Sequence, residues 1–361
     1  MASEQRTTNH ELRTARALVA RHSVLITCRP TGYPMSSIRV LVVTNMSPNV
    51  ADPGYGSFVR DQMDSVQALG VEYEVLFVDG RASRGNYLRA IGRVRSKLRE
   101  KPYDLIHAHF GLSGWVARCQ LRRPLVVTFH GDDVLGRPNR QGGITLVGRL
   151  FQATSWMLAR LVPAVIVQSL EMKAKLGLER ACIIPCGVDL NLFRPADREQ
   201  ARERLGLEAK KKYVLFPYNP AEPRKRYDLI EQAVRLAQRE VPEIEVLRVY
   251  AQPHERMPLY MNAADVLVLA SMIEGSPVAV KEALAVNLPV VAVAVGDTPE
   301  RLEGVKGCYL VPRQPEAIAA RIREVCRSGM RAESRAAVEP LAMEKIAGQI
   351  LEAYTAAMRN E

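Results

Sequence analysis

The chain has 361 residues, of which 47% are hydrophobic and 25% charged, and it carries a net charge of +11 at pH 7. That length suits two ordinary domains, and the composition is globular, which argues against a disordered or fibrous chain. No apolar run approaches the roughly 20 residues that cross a bilayer, and the six cysteines (28, 119, 182, 186, 308 and 326) form no Cys-x-x-Cys, so they read as reduced thiols.

Residues 1–34 are polar and basic, and they are expected to form a poorly ordered arm with at most one short helix near Glu11–Ala20. Arg16 and Arg21 interrupt the apolar core that a signal peptide needs, so a cytoplasmic location is expected. The folded region begins at the apolar run from Ile38 to Thr44, a strand. A loop containing Gly54 and Gly56 follows, where backbone can approach a phosphate or sugar closely. Val59, Met63 and Val66 then recur at i, i+4 and i+7, the spacing of one helix face.

The alternation continues, with strands expected near 72–78, 104–108, 124–129, 164–168 and 181–185. Helices are expected near 86–100, 113–121, 145–160 and 169–177. Residues 89–101 hold Arg89, Arg93, Arg95, Lys97, Arg99 and Lys101. They belong to an uneven distribution: residues 1–195 contain 26 Lys+Arg against 15 Asp+Glu, whereas 196–361 contain 24 of each. A basic half joined to a neutral half suggests that one lobe meets an anionic partner. The run has no interleaved aromatics, so nucleic acid is not expected. An anionic membrane surface is, with each basic residue near it worth about 1 kcal/mol; a solvated helix face is the plain alternative.

Residues 186–200 have little periodicity and are expected to link two halves. Strands then recur near 213–217, 244–250, 266–270, 289–295 and 307–311, with helices near 227–240, 278–286 and 315–328. A last helix near 342–358 is placed to cross back onto the first half. This is βα repetition twice over, an α/β architecture with helices on both faces of two parallel sheets.

Polar residues collect where these strands end, the edge at which open α/β sheets bind ligands. His107 and His109 end one strand, and His130 ends another and opens Gly131-Asp132-Asp133. A zinc site on the three histidines has little support, and Asp132 and Asp133 are adjacent, not spaced as Asp-x-Asp; no such triplet occurs in the chain. A metal bridging a diphosphate is therefore not expected, and amides and cations must meet its charge. Arg224 and Lys225, after the first strand of the second half, are the expected cations. The stretch from Glu274 to Glu282 places two carboxylates on either side of a helix start. Ser276 is expected as N-cap, with Pro277 at the first helical position. The N–H groups of Val278 and Ala279 would then meet an anion, in a loop made close by Gly275.

In order, these motifs resemble the GT-B glycosyltransferases of family 4, a retaining group that uses nucleotide sugars. The matching residues are Gly54 and Gly56; His109 to Gly111; Thr128 to Gly131; Ile184 to Asp189 with Phe193 and Pro195; the basic turn at Lys225; Ala264-Asp265; and the glutamate pair with its Pro-Val-Val strand. They run from about residue 36 to about 358. The opening from Asn45 to Val59 looks most like bacterial members that build cell-surface polysaccharides, including teichuronic-acid-type enzymes.

The resemblance implies a GT-B fold of two Rossmann-like domains facing across a cleft: 35–195 for the acceptor, 196–341 for the nucleotide-sugar donor, and 342–361 returning to the first. It implies that Glu274 faces donor-sugar hydroxyls, Glu282 binds the ribose, and Lys225 with a nearby arginine holds the diphosphate. His130 would lie by the anomeric carbon, with Gly54, Gly56, His109 and Asp132 around the acceptor and sugar. It implies no metal and no other cofactor. Partners would be a nucleotide sugar and a glycan or lipid-linked acceptor, with attachment to the inner face of the cell membrane through the basic lobe. Three positions depart from the pattern. Glu222, or Arg224 with a shift, stands where an arginine is usual; Cys186-Gly187 replaces Asn-Gly; and Asn287 replaces a glycine, which a left-handed asparagine permits. Glu222 keeps open a non-catalytic scaffold subunit of a polysaccharide assembly complex, and the fold keeps open a nucleotide-sugar epimerase.

Overall fold

The computed structural model describes residues 38–48, 54–139 and 142–359. The expected N-terminal arm and its short helix lie outside the described residues. Two parallel sheets form, and their inner strands are apolar and buried on both faces. In the first, β1 (Arg39–Thr44), β2 (Glu72–Phe77), β3 (Leu105–His109), β4 (Leu125–Thr128), β5 (Ala164–Val167) and β6 (Cys182–Ile183) stand in the order β2-β1-β3-β4-β5-β6. In the second, β7 (Lys212–Phe216), β8 (Ile244–Arg248), β9 (Val266–Leu269), β10 (Val290–Ala292) and β11 (Tyr309–Leu310) stand in the order β11-β10-β9-β7-β8. Val40 to Val43 and Val266 to Val268 are completely buried. Continuous apolar runs of this kind mark strands covered on both faces.

The connecting helices of the first lobe are α1 (Ser57–Gln67), α2 (Gly85–Glu100), α3 (Gly111–Arg118), α4 (Gly131–Val134), α5 (Leu146–Leu161) and α6 (Leu170–Leu176). Those that follow are α7 (Arg198–Leu205), α8 (Tyr227–Gln238), α9 (Met257–Ala263), α10 (Val278–Ala285), α11 (Thr298–Leu302), α12 (Pro315–Ser328) and α13 (Met343–Arg359). In each sheet the first strand sits between the second and third, so the connections turn opposite ways on its two sides. Loops after the strands flanking that switch point form the ligand crevice of open α/β sheets. These are the loops carrying Gly54 and Gly56 after β1, Phe110 and Gly111 after β3, Lys225 after β7 and Glu274 after β9.

Several details depart from the sequence reading. The linker expected over 186–200 runs into a helix, α7, begun by Asp197, whose carboxylate accepts the Gln200 N–H at 2.8 Å. The helix escapes a periodicity test because it hides a charge: Arg202 is buried and bonds Asp265 at 2.6 Å. The short helices α4, α9 and α11 are likewise absent from the sequence reading. At α10 the N-cap is Pro277, not Ser276.

The last helix buries Ile346, Ala347, Ile350, Ala353, Tyr354 and Ala357, a stripe repeating every three or four residues. These side chains join Val40, Val42, Met63 and Val66 of the first lobe and Val280 and Leu284 of the second in one apolar cluster. Beneath the helix lie three imidazoles from the carboxyl ends of β3 and β4. His107 Nδ1 is 2.7 Å from the Tyr354 hydroxyl, and its Nε2 is 2.8 Å from Thr128 Oγ1. His109 Nδ1 is 3.3 Å from His130 Nε2. Burial holds all three below the ordinary imidazole value, His109 at about 3. Three buried imidazoles this close are kept neutral: His107 is spent on hydrogen bonds, whereas His109 is held mainly by packing, its Nε2 having no hydrogen-bond partner among the described residues.

Two outcomes follow. Tyr354→Phe removes the hydroxyl from His107 Nδ1 while keeping the ring, and is expected to lower unfolding free energy by about 1–3 kcal/mol; a denaturant midpoint equal to that of the parent would refute the importance of this bond. The pH dependence has a definite sign. Each imidazole takes up a proton near pH 6.5 when unfolded but not when folded, so stability falls as pH drops below 6.5 by about 1.4 kcal/mol per unit per group. Asp133, pushed up to about 7 by burial, binds its proton in the folded chain first and offsets one imidazole. The net loss between pH 6.5 and 5 is on the order of 3 kcal/mol, measurable by denaturant titration at the two pH values; a stability that rises instead would mean that the imidazoles are charged in the fold.

Candidate active site in the cleft between the lobes

A cavity of ≈ 940 Å³ lies between the two crevices. The first lobe contributes Gly54, Gly56, Phe58 and Asp61, and the second Glu222, Arg224, Lys225, His254, Val278, Ala279 and Glu282. Gly56 caps α1 at φ 75°, and a Cβ there would lie 2.7 Å from the Met46 carbonyl carbon. Only glycine fits both the conformation and the space.

The cationic wall is built on Glu274. Lys225 Nζ is 2.6 Å from Glu274 Oε1, and Arg224 Nη1 is 3.3 Å from Oε2 and 3.0 Å from the Ile273 carbonyl. The Lys225 ammonium also sits 3.7 Å from the centroid of the Tyr218 ring, a cation–π contact. Burial pushes the Glu274 carboxyl up, but the two cations outweigh it and hold it below the usual range. For Lys225 burial prevails, and its ammonium is lowered despite Glu274. Lys225 and Arg224 line the cavity while Glu274 stands behind them. They offer positive charge to an anion, and Val278 and Ala279 line the same space at the start of α10, where the first N–H groups of a helix have no acceptor inside it.

Glu282, 4% exposed, is on the wall beyond. Its Oε1 lies 2.5 Å from His254 Nε2, and His254 Nδ1 lies 3.1 Å from Asp61 Oδ2 on α1 of the first lobe. Burial lowers the imidazole, but the two carboxylates more than reverse this and raise it to about 10. At neutral pH it is therefore an imidazolium donating to both lobes. Neither His254 nor Asp61 emerged from the sequence. The one signal was position: His254 follows β8 at the ligand edge of the sheet.

Other candidate residues are placed differently. Ser276 neither caps α10 nor lines the cavity; its hydroxyl donates to Asp297 at 3.0 Å, accepts the Cys186 N–H at 3.1 Å and touches the buried Lys281 ammonium. Its polar capacity is used up in a buried network. Gly275 packs against the first lobe: a Cβ on Gly131 would lie 2.7 Å from Gly275 N. His130, 6% exposed, stacks on Phe110 and meets Phe58 edge-on, and neither it nor His109 lines the cavity. Asp132 lies 3.9 Å from Arg224 Nε. Gly131 also lies 3.1 Å, by its Cβ position, from the Glu274 carbonyl carbon, so the His130 and Glu274 loops meet where the lobes touch. Among the described residues no group of three or more His, Cys, Asp or Glu is arranged to hold a metal ion.

Comparison with known proteins gives consistent matches. A D-inositol 3-phosphate glycosyltransferase of Geodermatophilus obscurus is 28% identical over 320 residues, covering 73% of this chain and 69% of that protein. The putative teichuronic acid biosynthesis glycosyltransferase TuaC of Bacillus subtilis is 24% identical over 349 residues, covering 79% and 88%. Sucrose-phosphate synthase of Thermosynechococcus elongatus superposes with a TM-score of 0.67 at 21% identity, covering 90% of this chain and 100% of that one. HepE of Anabaena, solved with UDP, gives 0.64 at 18% identity, covering 88% and 100%. These two show a shared fold, the GT-B arrangement of facing parallel-sheet lobes. The model of Glycosyltransferase Family 4 matches residues 8–192, just over half of the chain, and that of Glycosyl transferases group 1 matches 220–328; the chain belongs to glycosyltransferase family 4.

Proposed function

We propose that the protein is a retaining, metal-independent hexosyltransferase that moves a sugar from a nucleoside-diphosphate sugar to a glycan or lipid-linked acceptor of a cell-surface polysaccharide. The observation that carries this reading is the convergence of Lys225, Arg224 and the start of α10 on one cavity that also holds Glu282. Solved neighbours containing UDP or UDP-glucose support the donor class, and the likeness to TuaC supports the acceptor class.

In this reading Glu282 accepts the ribose hydroxyls, and the diphosphate lies against Lys225, Arg224 and the amides of Val278 and Ala279. Its negative charge competes with Glu274 for the two cations. Glu274 is thereby released to accept hydroxyls of the sugar, which lies toward His130. The contact of Gly131 with Gly275 leaves no room for a hexose there, so these loops part to admit it and close again to exclude water. As the glycosidic bond to the diphosphate breaks, fixed cations and amides stabilise the charge on the leaving group without rearranging. Arg224 takes the place of the arginine usual before the lysine. The first lobe presents the acceptor along the Gly54–Gly56 loop.

Membrane attachment finds support in α5 more than in α2. Two lysines of the basic run, Lys97 and Lys101, pair with Glu74. On α5, by contrast, Leu146 and Leu150 are 84% and 61% exposed, and Trp156, Met157 and Leu161 are exposed beside Arg149 and Arg160. An outward apolar face flanked by arginines suits an anionic bilayer surface. No helix among the described residues is long and apolar enough to cross a membrane.

Lys225→Ala and Glu274→Ala are each expected to lower kcat/KM for transfer by about 100-fold or more, with melting temperatures showing the fold intact and a chelator leaving the parent activity unchanged. Full activity in both variants, with the true donor and acceptor, would overturn the site assignment. For the membrane, sedimentation with phosphatidylglycerol vesicles is expected to exceed that with phosphatidylcholine vesicles, to weaken with salt, and to fall about tenfold in Leu146→Asp/Leu150→Asp. Equal sedimentation with both lipids would remove the electrostatic basis.

A further inference from the structure

We infer that His254 is a positioning residue: it fixes the Glu282 carboxylate for the donor ribose and ties it to the acceptor lobe through Asp61. The inference rests on the assignment of Glu282 to the ribose and extends it to residues outside the donor contacts.

A glutamate reaches a diol through three rotatable bonds, and freezing them on binding costs affinity. Glu282 is held beforehand. Its Oε1 takes the hydrogen bond of His254 Nε2 at 2.5 Å, while Oε2 has no hydrogen-bond partner among the described residues, and Glu282 lines the cavity. One oxygen is anchored and the other is free to accept from a vicinal diol. His254 is in turn anchored from behind. Its Nδ1 is 3.1 Å from Asp61 Oδ2, and its ring lies 5.4 Å from that of Phe193. A single imidazolium thus spans the ribose carboxylate of one lobe and helix α1 of the other.

The neighbouring residues repeat the contact with the charges exchanged. Arg60, paired with its neighbour Asp61 at 2.8 Å, also lies 3.6 Å from Glu255, beside His254. A cation and an anion on α1 face an anion and a cation on the second lobe. Any sliding that set Arg60 against His254, or Asp61 against Glu255, would oppose like charges, so the pairing favours one register of the lobes. Asp61, Glu282, Arg60 and Glu255 are the titratable groups about the imidazole. Held at about 10 by the two carboxylates, the imidazole keeps its proton through neutral pH and loses it only as pH rises toward 10, so the clasp loosens in alkali. Grip on the donor and apposition of the lobes thereby draw on the same proton.

The experiment compares ribose with its deoxygenated form. Calorimetry measures binding of uridine, guanosine and adenosine diphosphates, and of their 2′,3′-dideoxy counterparts, to the full chain. The parent is expected to prefer the ribose form of its nucleotide, and Glu282→Ala to abolish that preference. His254→Ala and Asp61→Asn are each expected to reduce the preference about tenfold while leaving affinity for the dideoxy form within about twofold. A purely structural role would weaken both forms alike. His254→Gln, which keeps side-chain bulk without the charge, carries the test if the alanine variant unfolds. Should Glu282→Ala abolish the preference while His254→Gln and Asp61→Asn retain it, the inference is overturned and the donor site stands. Should Glu282→Ala change nothing, or no diphosphate bind, the site reading falls and this inference with it.

Discussion

Parallel pairing delivers every strand of a sheet to the same edge, and the cleft follows from that constraint. In each lobe the first strand lies inside the sheet, between the second and third, so the loops leaving it and its neighbour diverge and open a crevice. Two such sheets facing each other bring the segments after β1, β6, β7, β8 and β9 to one cavity. Lys225 and Glu274 are 49 positions apart, but β7 and β9 are adjacent, so their loops place an ammonium against a carboxylate. The apolar strands have no part in the chemistry; their burial holds the ends still.

The cavity wall is organised by ion pairs in which each charge has a defined alternative use. Glu274 satisfies Lys225 and Arg224, and His254 satisfies Glu282 and Asp61. Charges buried this far would be costly alone, and pairing lets them remain charged next to a cavity. In the proposed function such pairs are exchangeable: an incoming anion or hydroxyl would take the place of one partner and leave the other oriented. Ser276, Lys281 and Asp297 show the contrasting case, a network closed on itself and cut off from the cavity, whose role is to hold α10 against the linker at Cys186. The two lobes are joined on one side by backbone contact at Gly131 and Gly275 and on the other by side-chain charge at Asp61 and His254. The α13 stripe, anchored by Tyr354 on His107, runs across the back.

Most of the architecture was legible in the chain. Apolar runs of four to six residues mark strands buried on both faces, and stripes such as Val59, Met63 and Val66 mark helices that cover them. The turn at Asn287 was legible too: it stands at φ 57°, and its side chain accepts the N–H groups of Ser334 and Arg335, as a left-handed asparagine can. The failures have physical causes. In α7 a buried arginine replaces the expected apolar residue, so periodicity is blind to it. At Ser276 a good capping residue found stronger partners in Lys281 and Asp297, and tertiary contact overrode local preference.

What the sequence by itself determined is the succession of βα units, and with it the loops that carry polar residues to the ligand edge, because a short apolar run or a repeat of 3.6 residues is a local property of the chain. Only the tertiary structure decided which of those residues share the cavity. His130 and His109 sit behind Phe58 and Phe110, whereas Asp61 and His254, 193 positions apart, meet across the cleft. Contact across two lobes depends on how far the sheets approach and how they are turned. Hydrophobic periodicity carries no record of either, because both are set by side chains packing at long range.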